Sequence, residues 1–167
     1  MVTQTASGYV QHDQLKGGCT CGRVRYRLRS APMFVQCCHC RDCQRQAGSA
    51  FVVNALIETG RIDVEGVAPE AVSLPTASGR PHDVYRCTAC RAAMWSDYGR
   101  RPPLRFLRVC TLDDPSVIMP DAHIFTRSKL PWVGLPEEVP AFPIYYDMAA
   151  LWPAESLGRR RGILAAR

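Results

Sequence analysis

The spacing of the nine cysteines constrains this 167-residue chain more than any other feature. Seven of them form close sets, namely the pairs Cys19/Cys21 and Cys87/Cys90 and the triplet Cys38, Cys40 and Cys43. Thiols one or two residues apart can bind a single ion, because a tight turn brings both sulfurs to about 2.3 Å from a tetrahedral zinc. An odd number of cysteines cannot pair off completely within one chain, so the pattern favours metal binding or catalysis over a disulfide framework.

The two pairs predict one closed structural zinc site. Four ligands complete a tetrahedron, and Cys19, Cys21, Cys87 and Cys90 supply four sulfurs. Such a site would join an early strand to a later β segment of the chain. The alternative is that these thiols are buried or oxidisable groups that bind no metal.

The triplet supplies only three sulfurs, which is the ligand number of a catalytic zinc whose fourth position stays open for water or a substrate thiol. The alternative is a fourth protein ligand, from Cys37, His39, His82, Cys110 or His123. Cys37 fits this role poorly because adjacent residues of a strand point to opposite faces. The spacing therefore favours an open catalytic site.

The rest of the chain predicts a mostly β domain of short strands. From Arg23 to Arg29 arginines alternate with Val24, Tyr26 and Leu28, which share one face of a strand. Thirteen prolines and twelve glycines, without a long 3.6-residue period, also favour strands over helices. Further strands are predicted over residues 33–36, 51–56, 71–74, 83–86, 92–96, 104–111 and 123–126. One short helix is predicted directly after the triplet, over residues 41–47, with Gly48 ending it.

Length and composition fit one globular domain, with 47% hydrophobic residues. We expect a mobile N-terminal extension at residues 1–14, a zinc-binding domain at 15–154 and a basic C-terminal tail at 155–167. The longest apolar run has five residues, whereas a membrane-spanning helix needs about 20. The first fifteen residues contain no Lys or Arg and no apolar stretch, so a secretory signal is not expected. The sequence therefore predicts a cytoplasmic protein with no membrane partner.

The formal net charge is +6, and residues 16–50 alone hold seven basic residues and one acidic residue. A basic C-terminal end can bind nucleic acid or an acidic partner, although a short solvated arginine segment explains it as well. Aromatic residues make up 8% of the chain and are not interleaved with basic ones, as a single-strand binder requires. These features disfavour nucleic acid as a partner.

Together the motifs resemble those of the glutathione-dependent formaldehyde-activating enzyme family, whose domain also occurs in centromere protein V. The resemblance covers roughly residues 15–135. It is carried by Gly18-Cys19-x-Cys21-Gly22-x-Val24-Arg25-Tyr26, Cys38-His39-Cys40-x-x-Cys43, Gly48, Cys87-x-x-Cys90, His123-Ile124-Phe125 and Pro131-Trp132. Two positions depart from the family pattern. Arg91 stands where a glycine commonly follows the second pair, and Cys37 adds a thiol beside the triplet.

The resemblance implies a twisted, mostly β fold with two zinc ions per chain, one structural and one catalytic. It also implies a carbon–sulfur lyase or synthase that forms S-(hydroxymethyl)glutathione, with glutathione as co-substrate and a small aldehyde such as formaldehyde. Glutathione carries a charge of about −1, so the basic stretch at 16–50 could attract it. A homo-oligomer is left open.

Five residues are candidates for the substrate pocket: His39, Phe51, His123, Lys129 and Trp132. His39 could donate a hydrogen bond to a zinc ligand or carry a proton, or it could be an exposed spacer. Trp132 would give an apolar wall and Lys129 a contact for a carboxylate, while Phe51 suits pocket or core. The alternative function is a non-catalytic zinc module that binds a protein or nucleic acid, but such a module has no need of a three-ligand metal.

Overall fold

In the computed structural model of the chain, the backbone is described for residues 2–5, 8–11 and 15–165, and side chains for residues 15–165. The strands are β1 (Val2–Thr5), β2 (Gly8–Gln11), β3 (Lys16–Gly18), β4 (Val24–Leu28), β5 (Phe34–Cys38), β6 (Val52–Glu58), β7 (Ile62–Gly66), β8 (Glu70–Leu74), β9 (His82–Arg86), β10 (Ala93–Tyr98), β11 (Leu104–Arg108) and β12 (Ala122–Ile124). The helices are α1 (Arg41–Ala47), α2 (Met148–Leu151) and α3 (Ala154–Ala165), with 3-10 turns at Thr59–Arg61, Val109–Thr111, Pro115–Val117 and Thr126–Ser128. The prediction of a mostly β fold is confirmed.

The strands form a seven-stranded sheet, a three-stranded sheet and a hairpin. The large sheet has the order β12-β5-β6-β11-β10-β9-β8, the small one β3-β4-β7, and the hairpin pairs β1 with β2. Of the pairs in the large sheet, β12 with β5 is parallel and the others are antiparallel. The predicted mobile extension at residues 1–14 lies partly outside the described residues, and the hairpin is the part of it that the structure describes.

The alternation in β4 fixes how the small sheet meets the core. Val24, Tyr26 and Leu28 are at most 2% exposed, as predicted, whereas Arg25 and Arg27 point away from the core. The Tyr26 ring meets Trp95 edge to face, with 6.0 Å between ring centroids. Burying these side chains contributes about 2 kcal/mol each, so this face anchors the small sheet on the large one.

One face of the large sheet changes from apolar to polar toward the triplet. Strand register places Phe34, Leu56 and Phe106 in one row across β5, β6 and β11. The next row is polar and consists of Gln36, Asn54 and Arg108, and the third begins with Cys38 opposite Val52. We call the middle one the polar row. It separates the apolar cluster around Phe34 from the end of β5 that carries the first cysteine of the triplet.

The segment expected to be a basic tail, residues 155–167, is helical as far as residue 165, and its first half contacts β5 and β6 or the residues beside them. In α3, the Ser156 hydroxyl donates to the Met33 carbonyl at 2.6 Å, and Arg159 Nε donates to Glu58 at 2.8 Å. These contacts join residues more than 100 positions apart, so local composition does not reveal them. Across the described residues, no helix is both long and apolar enough to cross a membrane.

The half-buried carboxyl group of Asp121, directly before β12, contacts β5 and makes stability depend on pH. The Val35 amide donates to Asp121 Oδ2 at 2.8 Å, whereas Oδ1 is buried and unpartnered. Burial raises the pKa of Asp121 to about 6, despite the hydrogen bond from Val35 that lowers it. Because the folded pKa exceeds the unfolded one, the unfolded state ionises first as pH rises. This carboxyl should cost no stability below pH 4 and about 3 kcal/mol above pH 6.

We therefore expect Asp121→Asn to flatten the pH dependence of the unfolding free energy between pH 4 and pH 6. Asparagine keeps an oxygen for the Val35 amide but carries no charge. Urea titrations of both proteins at several pH values measure the difference. Equal pH slopes in the two proteins would contradict the prediction.

Candidate metal centres

Four thiols from two distant turns meet at one edge of the core. Cys19 and Cys21 lie in the turn between β3 and β4, and Cys87 and Cys90 lie in the turn between β9 and β10. The four sulfurs, here called the four-thiol centre, all lie within 4.8 Å of one another. Cys21 Sγ lies 3.4 Å from Cys19 Sγ and 3.7 Å from Cys87 Sγ. Sulfurs bound to one tetrahedral zinc lie about 3.8 Å apart, so the donor set fits that ion.

A backbone hydrogen bond and one residue in the left-handed region shape each of the two turns. The Gly22 amide donates to the Cys19 carbonyl at 3.0 Å, and the Arg91 amide donates to the Cys87 carbonyl at 3.0 Å. Gly22 has a φ of 75° and Arg91 a φ of 62°, both in the left-handed region. Arg91 therefore takes the conformation that glycine adopts more easily, at a cost of about 1–2 kcal/mol. The departure from the family pattern at Arg91 leaves the turn intact.

The four-thiol centre connects the two larger sheets. Cys19 and Cys87 belong to the buried core cluster that also contains Trp95, whereas Cys21 and Cys90 are exposed. One pair follows a strand of the small sheet and the other follows a strand of the large sheet. An ion bound here would cross-link both sheets beside the core.

The triplet lies where β5 turns into α1. Cys38 is the last residue of β5, Cys40 is the N-cap of α1, and the Cys43 amide donates to Cys40 Sγ at 3.3 Å. The helix spans the residues predicted, and Gly48 ends it in the left-handed region with a φ of 62°. The three sulfurs lie within 4.8 Å of one another, and no fourth Cys, His, Asp or Glu of the described residues joins them at that distance.

Three thiols this close cannot all ionise easily. Hydrogen bonds from Cys38 and Cys43 lower the pKa of Cys40 to about 2, because the remaining S–H groups donate to its thiolate. The pKa of Cys38 is raised, since hydrogen bonding with Cys40 and Cys43 and burial both oppose a second negative charge. The cluster thus holds its first thiolate readily and needs added positive charge to lose the remaining protons.

A buried arginine supplies positive charge beside the triplet, and sequence reasoning missed it. Arg108, in the polar row, is 8% exposed and donates from Nη1 to Asn54 Oδ1 at 2.5 Å and from Nη2 to Gln46 Oε1 at 3.4 Å. Burial lowers its pKa, while Cys43 and Cys38 raise it. The sequence signal that could have revealed it is the position of Arg108 on the same face as Leu104 and Phe106 in the strand predicted over residues 104–111.

Gln46 links this arginine to His82, one of the candidate fourth ligands. Its Nε2 lies 3.1 Å from His82 Nδ1, while its Oε1 accepts from Arg108. The side chain of His82 is buried, and burial lowers its pKa. Cys110, another candidate, is exposed. Both lie outside the triplet's cluster.

Trp132 and Lys129 occupy different environments. Trp132 is 75% exposed and lines a cavity of about 410 Å³ together with Arg41, Gln44 and Arg45 of α1. Lys129 Nζ donates to the carbonyls of Leu130 and Val133, at 3.2 and 2.7 Å. The predicted contact of Lys129 with a carboxylate stays a prediction.

His39 and His123 lie in the interior. They are 0% and 7% exposed, and His39 Nε2 lies 3.0 Å from His123 Nδ1. The interpretation of His39 as an exposed spacer between Cys38 and Cys40 is therefore wrong, because its side chain is buried. Burial, with help from His123, lowers the pKa of His39 to about 4. Phe51 is 38% exposed and covers the His39 ring, with 5.5 Å between centroids.

Gln44 holds this region together. Its Nε2 donates to the carbonyls of His39 and Ser128, at 2.7 and 2.9 Å, and its Oε1 accepts from Arg41. The Ser128 hydroxyl donates to the His39 carbonyl at 2.9 Å. The backbone between Cys38 and Cys40 is thus fixed by residues from α1 and from the turn after β12.

Comparison with known proteins gives the family. The family described as glutathione-dependent formaldehyde-activating enzyme matches residues 14–128. A relative from Halomonas elongata that carries the same family name is 28% identical over 156 residues, which cover 89% of this chain and 99% of the relative. A crystal structure of a Rhodobacter sphaeroides protein is 19% identical with a TM-score of 0.44, and the match covers 59% of this chain and 87% of that one. Because the family match covers more than half of its length, this chain belongs to the glutathione-dependent formaldehyde-activating enzyme family.

Proposed function

We propose that the protein is a zinc-dependent carbon–sulfur lyase or synthase that interconverts glutathione plus formaldehyde with S-(hydroxymethyl)glutathione. The observation that carries this proposal is the convergence of the three triplet sulfurs at the start of α1 in a chain of this family. The triplet would hold the catalytic zinc and the four-thiol centre a structural one. The cytoplasmic location stays a prediction.

The donor sets suit zinc. All seven side chains are cysteines, and thiolate ligands select soft or borderline ions such as zinc. Bound zinc would supply a Lewis acid at the triplet and favour the thiolate form of a substrate thiol. Every remaining contribution comes from the chain's own groups.

Arg108 would offset the negative charge of the triplet. Three thiolates carry a charge of −3, which a divalent ion reduces only to −1. Arg108 interacts electrostatically with Cys43 and Cys38, which raise its pKa, and its hydrogen-bond acceptors Asn54 and Gln46 are neutral amides. Its charge is therefore available to the sulfurs.

The cavity beside α1 suits the peptide part of glutathione. Arg41 and Arg45 present positive charge to its two carboxylates, and Trp132 offers an apolar surface. In the forward reaction, the glutathione sulfur attacks the carbonyl carbon of formaldehyde and forms a carbon–sulfur bond. The π electrons move to the oxygen, which takes up the proton that the thiol loses. The reverse reaction breaks the same bond.

We expect Cys40→Ser to lower the enzyme-catalysed exchange between glutathione and its formaldehyde adduct by about 100-fold or more, since even partners of metal ligands contribute 10–100-fold. NMR exchange spectroscopy measures this rate at equilibrium, and elemental analysis of the same samples should show one zinc fewer. Cys110→Ser is the matched control, because that thiol is exposed and outside the metal-binding groups of the described residues.

Two outcomes would contradict the proposal. Unchanged exchange in Cys40→Ser would mean that the triplet does not carry the reaction. No acceleration by zinc-loaded wild type would exclude this activity and favour another thiol adduct or the non-catalytic binding module.

A further inference from the structure

A third group of side chains that could hold a metal ion lies on the other face of β5 from the triplet. Cys37 precedes Cys38 and points to the opposite side, and His123 of β12 is its partner in the parallel register. Together with His39 they form what we call the third cluster. Its members are 1%, 0% and 7% exposed, in the order Cys37, His39, His123.

The donor atoms of the third cluster converge. His39 Nε2 lies 3.6 Å from Cys37 Sγ and 3.0 Å from His123 Nδ1, and all three atoms lie within 4.8 Å of one another. Ligand atoms on one tetrahedral ion lie about 3.3–3.6 Å apart when the bonds are about 2.0–2.3 Å. A small adjustment of the imidazole rings would bring the three atoms around one ion.

Hydrogen bonding alone leaves the third cluster incompletely satisfied. His39 Nδ1 is buried with no hydrogen-bond partner, so the contact between the two imidazoles leaves one ring with an unpaired polar atom in either tautomer. An unpaired buried polar group costs about 1–3 kcal/mol. An ion bound at His39 Nε2 would leave Nδ1 unpaired, but the free energy of coordinating three side chains would offset that cost.

We propose that Cys37, His39 and His123 form a third metal site, which takes a borderline or soft transition ion such as Zn²⁺ or Cu⁺. One thiolate and two imidazoles are ligands that both ions accept, whereas Mg²⁺ and Ca²⁺ prefer oxygen. The inference does not depend on the proposed function, since no group of the third cluster enters that reaction.

The site would act on the fold. It would cross-link β5 to β12, the parallel pair of the large sheet, and it would fix His39 between two residues of the triplet. Because its ligands are buried, the bound ion would be shielded from substrates.

The test counts metal equivalents per chain. Wild type, Cys37→Ser, His123→Asn and Cys110→Ser are reconstituted anaerobically with Zn²⁺ or with Cu⁺, freed of excess ion and measured by elemental analysis. With Zn²⁺, with Cu⁺ or with both, we expect three metal equivalents per chain for wild type and for the Cys110→Ser control. Under the same conditions we expect two equivalents for Cys37→Ser and for His123→Asn. In a cobalt titration, the third equivalent should add less thiolate charge-transfer absorption than the others, because it has one sulfur ligand.

The proposal would be overturned if wild type and Cys37→Ser both bound two metal equivalents per chain, with Zn²⁺ and also with Cu⁺. Cys38→Ser separates this failure from that of the proposed function. If Cys38→Ser still loses one equivalent, the triplet binds metal and only the third site is disproved. If Cys38→Ser loses none, the proposed catalytic centre fails instead. Should Cys37→Ser not fold, His123→Asn decides the count.

Discussion

Cys87→Ser should unfold the domain at 25 °C. Structural zinc binding contributes about 10–16 kcal/mol in small domains, and a whole domain retains only about 5–15 kcal/mol of net stability. Cys87 is completely buried within the core cluster, so serine would also leave a hydroxyl beside apolar side chains. Fluorescence of Trp95, which is 5% exposed in the same cluster, and near-ultraviolet circular dichroism report the loss of packing.

The matched controls are Cys110→Ser and Cys38→Ser. The first removes an exposed thiol outside the metal-binding groups of the described part of the chain and should leave the unfolding midpoint unchanged. The second removes one ligand of the triplet and should keep the fold while losing one zinc. A folded Cys87→Ser protein with the metal content of wild type would disprove the structural role of the four-thiol centre.

Arg108→Met should weaken both zinc binding at the triplet and turnover. A positive charge within about 4–6 Å lowers a thiol pKa by about 1–3 units, so its removal makes the last protons harder to lose. Metal binding requires deprotonated thiols, and the pH of half-maximal loading at the triplet should therefore rise by about one unit or more. Zinc content measured across a pH series tests this shift, and exchange spectroscopy tests the expected loss of activity.

Arg105→Met is the matched control for Arg108. Arg105 lies in the same strand and is also 8% exposed, but its charge is paired with the Asp97 carboxylate at 3.4 Å. Its replacement should lower the unfolding free energy without moving the half-loading pH. Equal shifts in both variants would mean that Arg108 acts through general stability and not through charge at the triplet.

Local patterns predicted the parts of the fold that depend on neighbouring residues. The end of the helix over 41–47 was readable in sequence from Gly48, which takes the left-handed conformation, whereas the structure adds that the Cys40 side chain caps its start. The buried face of β4 follows from strict alternation. Cysteine spacing likewise brought together the four-thiol centre and the triplet, because each ligand pair is formed by a single turn.

Contacts between distant segments could not be predicted in the same way. Helix α3 contains Gly158 and Gly162 and lacks an apolar stripe, and its position depends on Arg159 reaching Glu58. The third cluster needs the parallel pairing that places His123 beside Cys37, 86 residues earlier in the chain. The alternation of side chains along a strand correctly placed Cys37 and Cys38 on opposite faces of β5. It could not identify His123 as the neighbour of Cys37.

The separation of the ligands along the chain has a consequence when metal is scarce. The triplet spans residues 38–43, so an unfolded chain can bring its sulfurs together at small loop-closure cost, whereas the four-thiol centre must first close the segment from 21 to 87. An ion that also binds the unfolded chain stabilises the fold less. A newly made chain with access to one zinc ion could therefore bind it at the triplet and remain unfolded. The supply of a second ion for the four-thiol centre would then determine how much of the protein folds.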